Sequence, residues 1–197
     1  REKSIDSIDE RNSQAWHRML SDPKAGLELA LNTEKEAVKT QYTRGAAEAA
    51  LNAGWSYSYL SESKHALEYL QKALNLFTEI DDADGSMKSL NAIGVVYHNV
   101  SQYESALEYY SKSLALSRNA GNKERELAAI NNLGEFYHEL GNYEEASGFF
   151  ETARQLAEEC KDKERLAHVL VNLGLVQKEL GNYSAAKDKL QKAVQAC

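Results

Sequence analysis

The sequence, which has 197 residues, is poor in residues that break helices or staple small secreted folds. It contains one proline, Pro23, and two cysteines, Cys160 and Cys197. The cysteines form no Cys-x-x-Cys pair, and no histidine stands near them at a zinc-ligand spacing. We therefore expect two free thiols in a reducing compartment, the cytoplasm.

Basic residues and long apolar runs are also scarce. The chain has 23 Lys and Arg against 30 Asp and Glu, a net charge of −7, and no run of five basic residues. Such a chain is not expected to bind nucleic acid, because phosphate contacts need clustered Lys and Arg. No stretch approaches the roughly 18 consecutive apolar residues of a membrane-spanning helix, so we expect no membrane insertion.

Motifs that mark common active sites are missing as well. The sequence contains no GxSxG, HExxH, GxxxxGK[ST] or GxGxxG pattern. We therefore predict that the chain is not an enzyme and takes no cofactor or metal. What the sequence does contain is abundant Ala, Leu, Glu and Lys, which favours helix over sheet.

A glycine recurs every 40 residues, and other residues recur in register with it. The glycines are Gly54, Gly94, Gly134 and Gly174, and twelve residues after them stand Ala66, Ala106, Ala146 and Ala186. A bulky residue follows each alanine by four positions, at Leu70, Tyr110, Phe150 and Leu190. The period predicts one domain over residues 1–197, with a degenerate repeat near 5–42 and clear repeats at 43–82, 83–122, 123–162 and 163–197.

Each unit is predicted to contain two helices. Apolar residues at spacings of three and four over residues 123–140 indicate an amphipathic helix. Gly141 is expected to end it in the left-handed conformation, and Asn142 to cap the next helix. Asp22 and Pro23 predict a helix start in the first unit. We expect the periodic glycines to face the alanines of the second helix, since two helices approach to about 8 Å only where side chains are small.

Through these periodic residues the sequence resembles the tetratricopeptide repeat. Its repeat is 40 residues long, whereas the usual length is about 34 residues. The resemblance rests on pairs such as Leu133-Gly134 and Leu173-Gly174, on Tyr97 and Tyr137, and on the alanines named above. It implies an all-α fold, a right-handed α-solenoid of about five helix-turn-helix repeats. The longer form is similar to arrays in bacterial signalling proteins, before histidine-kinase or diguanylate-cyclase domains, and in kinesin-light-chain-like adaptors. The proline that usually closes each repeat is absent, and Gln177 replaces the tyrosine of the last unit.

The resemblance also implies a peptide-binding groove lined by the first helices of the pairs. The expected groove residues are Asn52, Trp55, Asn91, Val95, His98, Asn131, Asn132, Glu135, His138, Asn172, Leu175 and Lys178. Asparagine amides suit an extended peptide backbone, because they donate and accept hydrogen bonds. Alternatively, these amides are solvated or join neighbouring helices.

Other members of the groove have two interpretations as well. Trp55 is either an apolar anchor for a ligand or a packed residue. His98, His138 and Glu135 include zinc-ligand residue types, but a polar lining is the favoured interpretation. Tyr57 and Tyr59 fall outside the repeat in this interpretation and are expected to be exposed.

The sequence therefore predicts a module that binds a protein or peptide, as the regulatory or sensory part of a larger signalling protein. The alternative is a self-associating structural spacer or dimerisation scaffold. A catalytic groove is the third and least favoured hypothesis.

Overall fold

The computed structural model describes residues 2–196, with side chains from Ser4 to Gln195, and this part of the chain forms ten α-helices. Five consecutive pairs result, and we call the first helix of each pair the A helix and the second the B helix. The all-α class and the five tetratricopeptide-like pairs are as predicted. The helices are α1 (Glu2–Ser21), α2 (Pro23–Lys39), α3 (Thr43–Tyr59), α4 (Ser63–Glu79), α5 (Ala83–Asn99), α6 (Tyr103–Asn119), α7 (Lys123–Glu139), α8 (Tyr143–Cys160), α9 (Lys163–Glu179) and α10 (Tyr183–Ala196).

The turns repeat with the same period as the helices. Gly141, between α7 and α8, has φ +77° and ends α7 in the left-handed conformation, as predicted. The equivalent turn between α9 and α10 also has a glycine, Gly181, with φ +79°, whereas two other pairs place a serine there, with φ +61° at Ser61 and +59° at Ser101. In each of these turns the next amide donates back to the last helical turn, as Asn142 N does to Tyr137 O at 2.9 Å.

Two of the predicted helix caps behave differently. Asp22 caps α2 through its side chain, which accepts a hydrogen bond of 3.1 Å from Ala25 N, and Pro23 is the first helical residue, as predicted. Asn142 stands at the N-cap of α8, but its side chain makes no capping hydrogen bond. The residues that cap through their side chains elsewhere are Asp82, Asn122 and Asp162, before α5, α7 and α9.

The periodic glycines pack against large side chains, which corrects the prediction that they face alanines. A Cβ added at Gly54 would lie 2.6 Å from Leu70 Cγ, and one at Gly134 would lie 2.6 Å from a ring carbon of Phe150. A Cβ at Gly174 would lie 2.8 Å from Leu190 Cγ. The glycine therefore provides the space for the bulky residue of its own B helix, four positions beyond the expected alanine.

The chain divides into two compact units, residues 1–109 and 110–197, and the division falls inside α6. In the first unit each helix from α1 to α5 packs on the next, and the A helix α3 also contacts the A helices α1 and α5. Its central cluster includes Ala66, Leu70, Phe77, Ile93 and Val96, all buried. Burial of this continuous apolar cluster joins two consecutive helix pairs, as in a stacked repeat.

The second unit shows the same packing between consecutive helices from α7 to α10, with the A helices α7 and α9 in contact. Its cluster includes Leu127, Ile130, Phe150, Leu173 and Val176, each at most 1% exposed. The edge of a Tyr110 ring packs against Phe136, with 6.4 Å between ring centroids. Each unit thus holds its A helices side by side, which is the arrangement that positions the candidate site.

Candidate functional site

Asn52, expected in the groove, is buried and joins two A helices of the first unit. Its Nδ2 donates a hydrogen bond of 2.9 Å to the backbone oxygen of Asn12, and Asn12 Nδ2 donates in turn to Gly45 O at 2.9 Å. Asn52 is 6% exposed. Its amide is therefore engaged within the protein, in the arrangement that the alternative interpretation of the asparagines described.

Aromatic side chains surround the next part of α3. Trp55 is half-buried and packs on Tyr59, with ring centroids 6.3 Å apart. Tyr59 is 55% exposed, as expected, whereas Tyr57 is half-buried and packs on Tyr69 at 5.4 Å. The expectation that Tyr57 lies outside the repeat is wrong, because it occupies the position of Tyr97 and Tyr137.

The predicted groove residues of α5 lie on its partly covered side. Asn91, Val95 and His98 are all half-buried. The His98 ring meets the edge of Tyr103 at 6.1 Å. The equivalent histidine of the second unit, His138, packs on Tyr143 at 5.5 Å. Both histidines therefore contact the tyrosine that opens their own B helix.

In the second unit the structure brings together three of the predicted residues. Asn131 Nδ2 donates a hydrogen bond of 2.8 Å to Glu135 Oε1 on the same helix, α7. Asn172, on α9, approaches both with its Nδ2, at 3.2 Å from Glu135 Oε1 and 3.4 Å from Asn131 Oδ1. All three side chains are half-buried, so the cluster is open to a ligand on one side.

Three further residues complete this surface, and His168 was not among the predicted set. His168 Nε2 lies 3.9 Å from Glu135 Oε1. His168, Val171, Asn172 and Leu175 follow the spacing i, i+3, i+4, i+7 and share one face of α9. This spacing, counted from Asn172, is the signal that could have found His168. We define the α7–α9 surface as Asn131, Glu135, His168, Val171, Asn172 and Leu175.

The remaining predicted residues lie beside this surface. Asn132 is half-buried on α7, next to Asn131. Lys178 is exposed at the end of α9, where its Nζ lies 3.9 Å from Glu179 Oε1. Leu175 is 43% exposed and Val171 38%, so apolar contact area flanks the polar cluster. A ligand there would meet hydrogen-bonding groups in the middle and apolar side chains at the edge.

The charge of Glu135 affects the pKa of a neighbouring tyrosine, Tyr110. Burial raises the pKa of the Tyr110 hydroxyl, and the charges of Glu135 and Glu139 raise it further. A carboxylate with two amide donors still has free lone pairs, so Glu135 can accept another hydrogen bond from a peptide N–H or a basic side chain. The α7–α9 surface therefore presents hydrogen-bond donors and acceptors.

Among the residues that the structure describes, no three side chains of His, Cys, Asp or Glu are grouped so as to hold a metal ion. None of the described helices is long and apolar enough to cross a membrane. Cys160 is a free thiol, and Cys197 lies outside the described residues.

Stacked helix pairs with half-open polar side chains on adjacent A helices define a helical-repeat protein of the kind that binds other molecules. Three sequence models, each described as tetratricopeptide repeat, match residues 47–78, 89–124 and 125–197. The chain belongs to the tetratricopeptide repeat family. Comparison with curated proteins finds no match.

Solved structures with the same fold come from several kinds of protein. A kinesin light chain with nearly identical TPR-like repeats, from Podosopora anserina, is 14% identical, with a TM-score of 0.70 and coverage of 96% of this chain and 94% of that one. A Rap protein complexed with competence and sporulation factor is 20% identical, with a TM-score of 0.77, and the match covers 98% of this chain and 58% of the Rap protein. The quorum sensor NprR from B. thuringiensis, in its apo form, is 20% identical, with a TM-score of 0.75 and coverage of 98% and 54%.

Proposed function

We propose that this chain is a module that binds a protein or peptide, and that the α7–α9 surface is its contact site. The observation that carries the proposal is the half-buried cluster of Asn131, Glu135 and Asn172, which joins two A helices and remains open on one side. Because the network is only half-buried, part of its hydrogen-bonding capacity stays accessible to a ligand.

The ligand that suits this surface is an extended segment with backbone N–H groups and an apolar side chain. Its N–H groups would donate to Glu135 and Asn131, and its apolar side chain would pack on Val171 and Leu175. In the first unit, half-buried Trp55, Asn91, Val95 and His98 form the corresponding part of the proposal. Asn52 contributes there by fixing α3 against α1.

We infer that the module is the regulatory or sensory part of a signalling protein and that it binds without catalysing a reaction. Support comes from the fold shared with a Rap protein complexed with competence and sporulation factor and with the quorum sensor NprR. A cytoplasmic location is part of the proposal and rests on the free thiol of Cys160.

The test uses the chain as bait in lysate of the source cells, with two variants beside it. The first variant, Asn131→Ala with Glu135→Ala, removes the centre of the α7–α9 surface. The matched control, Asn75→Ala, changes an exposed asparagine on α4. We expect a partner that the wild type and the control retain and the double variant loses.

A synthetic peptide from the captured partner is then titrated calorimetrically against the three proteins, and circular dichroism checks that each is folded. Loss of two hydrogen-bonding groups should weaken binding by about tenfold or more. A folded double variant that binds the same peptide as tightly as the wild type would show that the α7–α9 surface is not the site.

A further inference from the structure

Glu135 is the one charged residue at its register position in the five repeats. The residues at the same position of the other A helices are Ala15, Trp55, Val95 and Leu175. Packing of the repeat therefore does not require an acid there. Glu135 stands on α7, with α9 packed beside it, and its side chain is 40% exposed. The acid is thus a feature of the α7–α9 surface in particular and not of the repeat in general.

Hydrogen bonds hold one oxygen of this carboxylate and leave the other open. Asn131 Nδ2 and Asn172 Nδ2 both donate to Oε1, at 2.8 and 3.2 Å, and His168 Nε2 lies 3.9 Å from the same atom. Among the residues that the structure describes, none donates a hydrogen bond to Oε2. The two amides therefore orient the carboxylate, while Oε2 keeps its capacity to accept hydrogen bonds from a ligand.

In the part of the chain that the structure describes, no lysine or arginine pairs with Glu135. Its ion-pairing neighbour is His168, which is charged only when it is protonated. Glu151 on α8 is nearly as exposed, at 39%, but its carboxylate contacts both Arg154 and Lys189, at 2.7 and 2.6 Å. Two acids of similar exposure in one unit thus differ, because one has two cations beside it and the other has neutral amides.

A ligand on the α7–α9 surface would change the surroundings of this charge. It would cover the half-open carboxylate and remove water from it, which costs free energy unless a new partner replaces the water. An ion pair gains strength in the same step, since the effective dielectric constant falls when water leaves. A ligand with a positive side chain at Glu135 is therefore favoured over one with a neutral or acidic side chain there.

We propose that the α7–α9 surface selects ligands that carry a basic side chain, lysine or arginine, and that this side chain contacts Glu135 Oε2. The proposal rests on the proposed function, because it assumes that a peptide segment binds at this surface. It specifies the class of ligand. The two asparagines position the carboxylate, and the carboxylate supplies the selectivity.

The test uses an array of short random peptides with acetylated and amidated ends, so that no terminal charge takes part. Labelled wild type is applied beside two variants, Glu135→Gln, which removes the charge but keeps the size of the side chain, and Glu135→Lys, which reverses the charge. Glu145→Gln is the matched control, because Glu145 is an exposed acid on α8, outside the α7–α9 surface. Circular dichroism checks that each protein is folded.

Peptides bound by the wild type and by the control are expected to be richer in lysine and arginine than the array as a whole. The enrichment should vanish for Glu135→Gln and change to aspartate and glutamate for Glu135→Lys. Fluorescence anisotropy then measures the affinity of one selected peptide. Glu135→Gln should bind it about tenfold more weakly than the wild type does. The same peptide with glutamine in place of its basic residue should bind both proteins equally.

Two results would overturn this proposal and leave the proposed function in place. One is enrichment in basic residues that persists in folded Glu135→Gln. The other is a wild type that binds peptides without such enrichment, while folded Asn172→Ala loses them. Peptides that folded Asn172→Ala also retains, or an array on which the wild type binds nothing, would contradict the proposed function as well.

Discussion

Asn52 donates a hydrogen bond of 2.9 Å from its side-chain amide to the backbone carbonyl oxygen of Asn12, forty residues earlier. Both residues are buried, at 6% and 3% exposure, so the bond joins α1 and α3 away from water. The side-chain amide of Asn12 in turn donates a hydrogen bond to Gly45 O on α3, which is a second bond between the same two helices. The pair shows that an amide at this register position can hold two repeats together.

Replacement of Asn52 by alanine is therefore expected to lower the free energy of unfolding by about 1–3 kcal/mol, because a buried hydrogen bond is lost. Urea unfolding followed by circular dichroism measures the change. The control Asn75→Ala, at an exposed asparagine, should shift stability by no more than about 0.5 kcal/mol. Equal effects of the two variants would contradict a structural role for the buried amide.

The two glycines at Gly134 and Gly148 should respond to alanine in opposite directions. At Gly134 the added Cβ would lie 2.6 Å from a Phe150 ring carbon, so we expect destabilisation by about 1–3 kcal/mol from overpacking. At Gly148, in the middle of α8, a Cβ has no neighbour within 4 Å. Gly148→Ala should stabilise by about 0.5–1 kcal/mol, because alanine is the better helix former. Thermal melts of both variants test the pair, and the same sign for both would refute the packing argument.

A glycine in the turn between α5 and α6 should raise the stability of the protein. Ser101 there has φ +59°, a conformation that costs an L-residue roughly 1 kcal/mol, and Gly141 fills the equivalent position in the next repeat. We predict that Ser101→Gly raises stability by up to about 1 kcal/mol and that Gly141→Ser lowers it by a similar amount. Chemical denaturation of both proteins gives the comparison. A loss of stability in Ser101→Gly would mean that the serine makes compensating contacts.

The carboxyl of Glu48 on α3 should make stability depend on pH. Burial raises the pKa of Glu48, and Asp9 adds to the effect, while Arg44 and Lys88 oppose it. The raised pKa means that the folded state disfavours the charged form, so wild-type stability falls as pH rises from about 4 through the raised value. In Glu48→Gln this loss is absent.

Unfolding curves at several pH values test this expectation. Wild type and Glu48→Gln should be about equally stable below about pH 4, where the carboxyl is neutral, and the variant should be the more stable protein near neutrality. A variant that is less stable than the wild type at neutral pH would show that the Arg44 contact, at 3.4 Å, outweighs the cost of burial.

Parts of the site could be predicted from the sequence and parts could not. Periodicity placed Asn131, Glu135 and Asn172 on neighbouring A helices, and the structure brings them within 3.4 Å of one another or closer. It could not separate buried Asn52 from half-buried Asn172, although both occupy the same register position. That difference depends on which atoms of the adjacent helix lie nearby.

The sequence by itself determined the helices, their pairing and their period, because apolar spacing, helix caps and small residues are local signals that repeat every 40 residues. Only the tertiary structure decided that Gly134 accommodates Phe150, that Tyr57 is packed, and that His168 approaches Glu135. The physical reason is that these contacts depend on side-chain directions and distances between helices. A repeat period fixes which positions are equivalent, whereas packing decides what each equivalent residue touches.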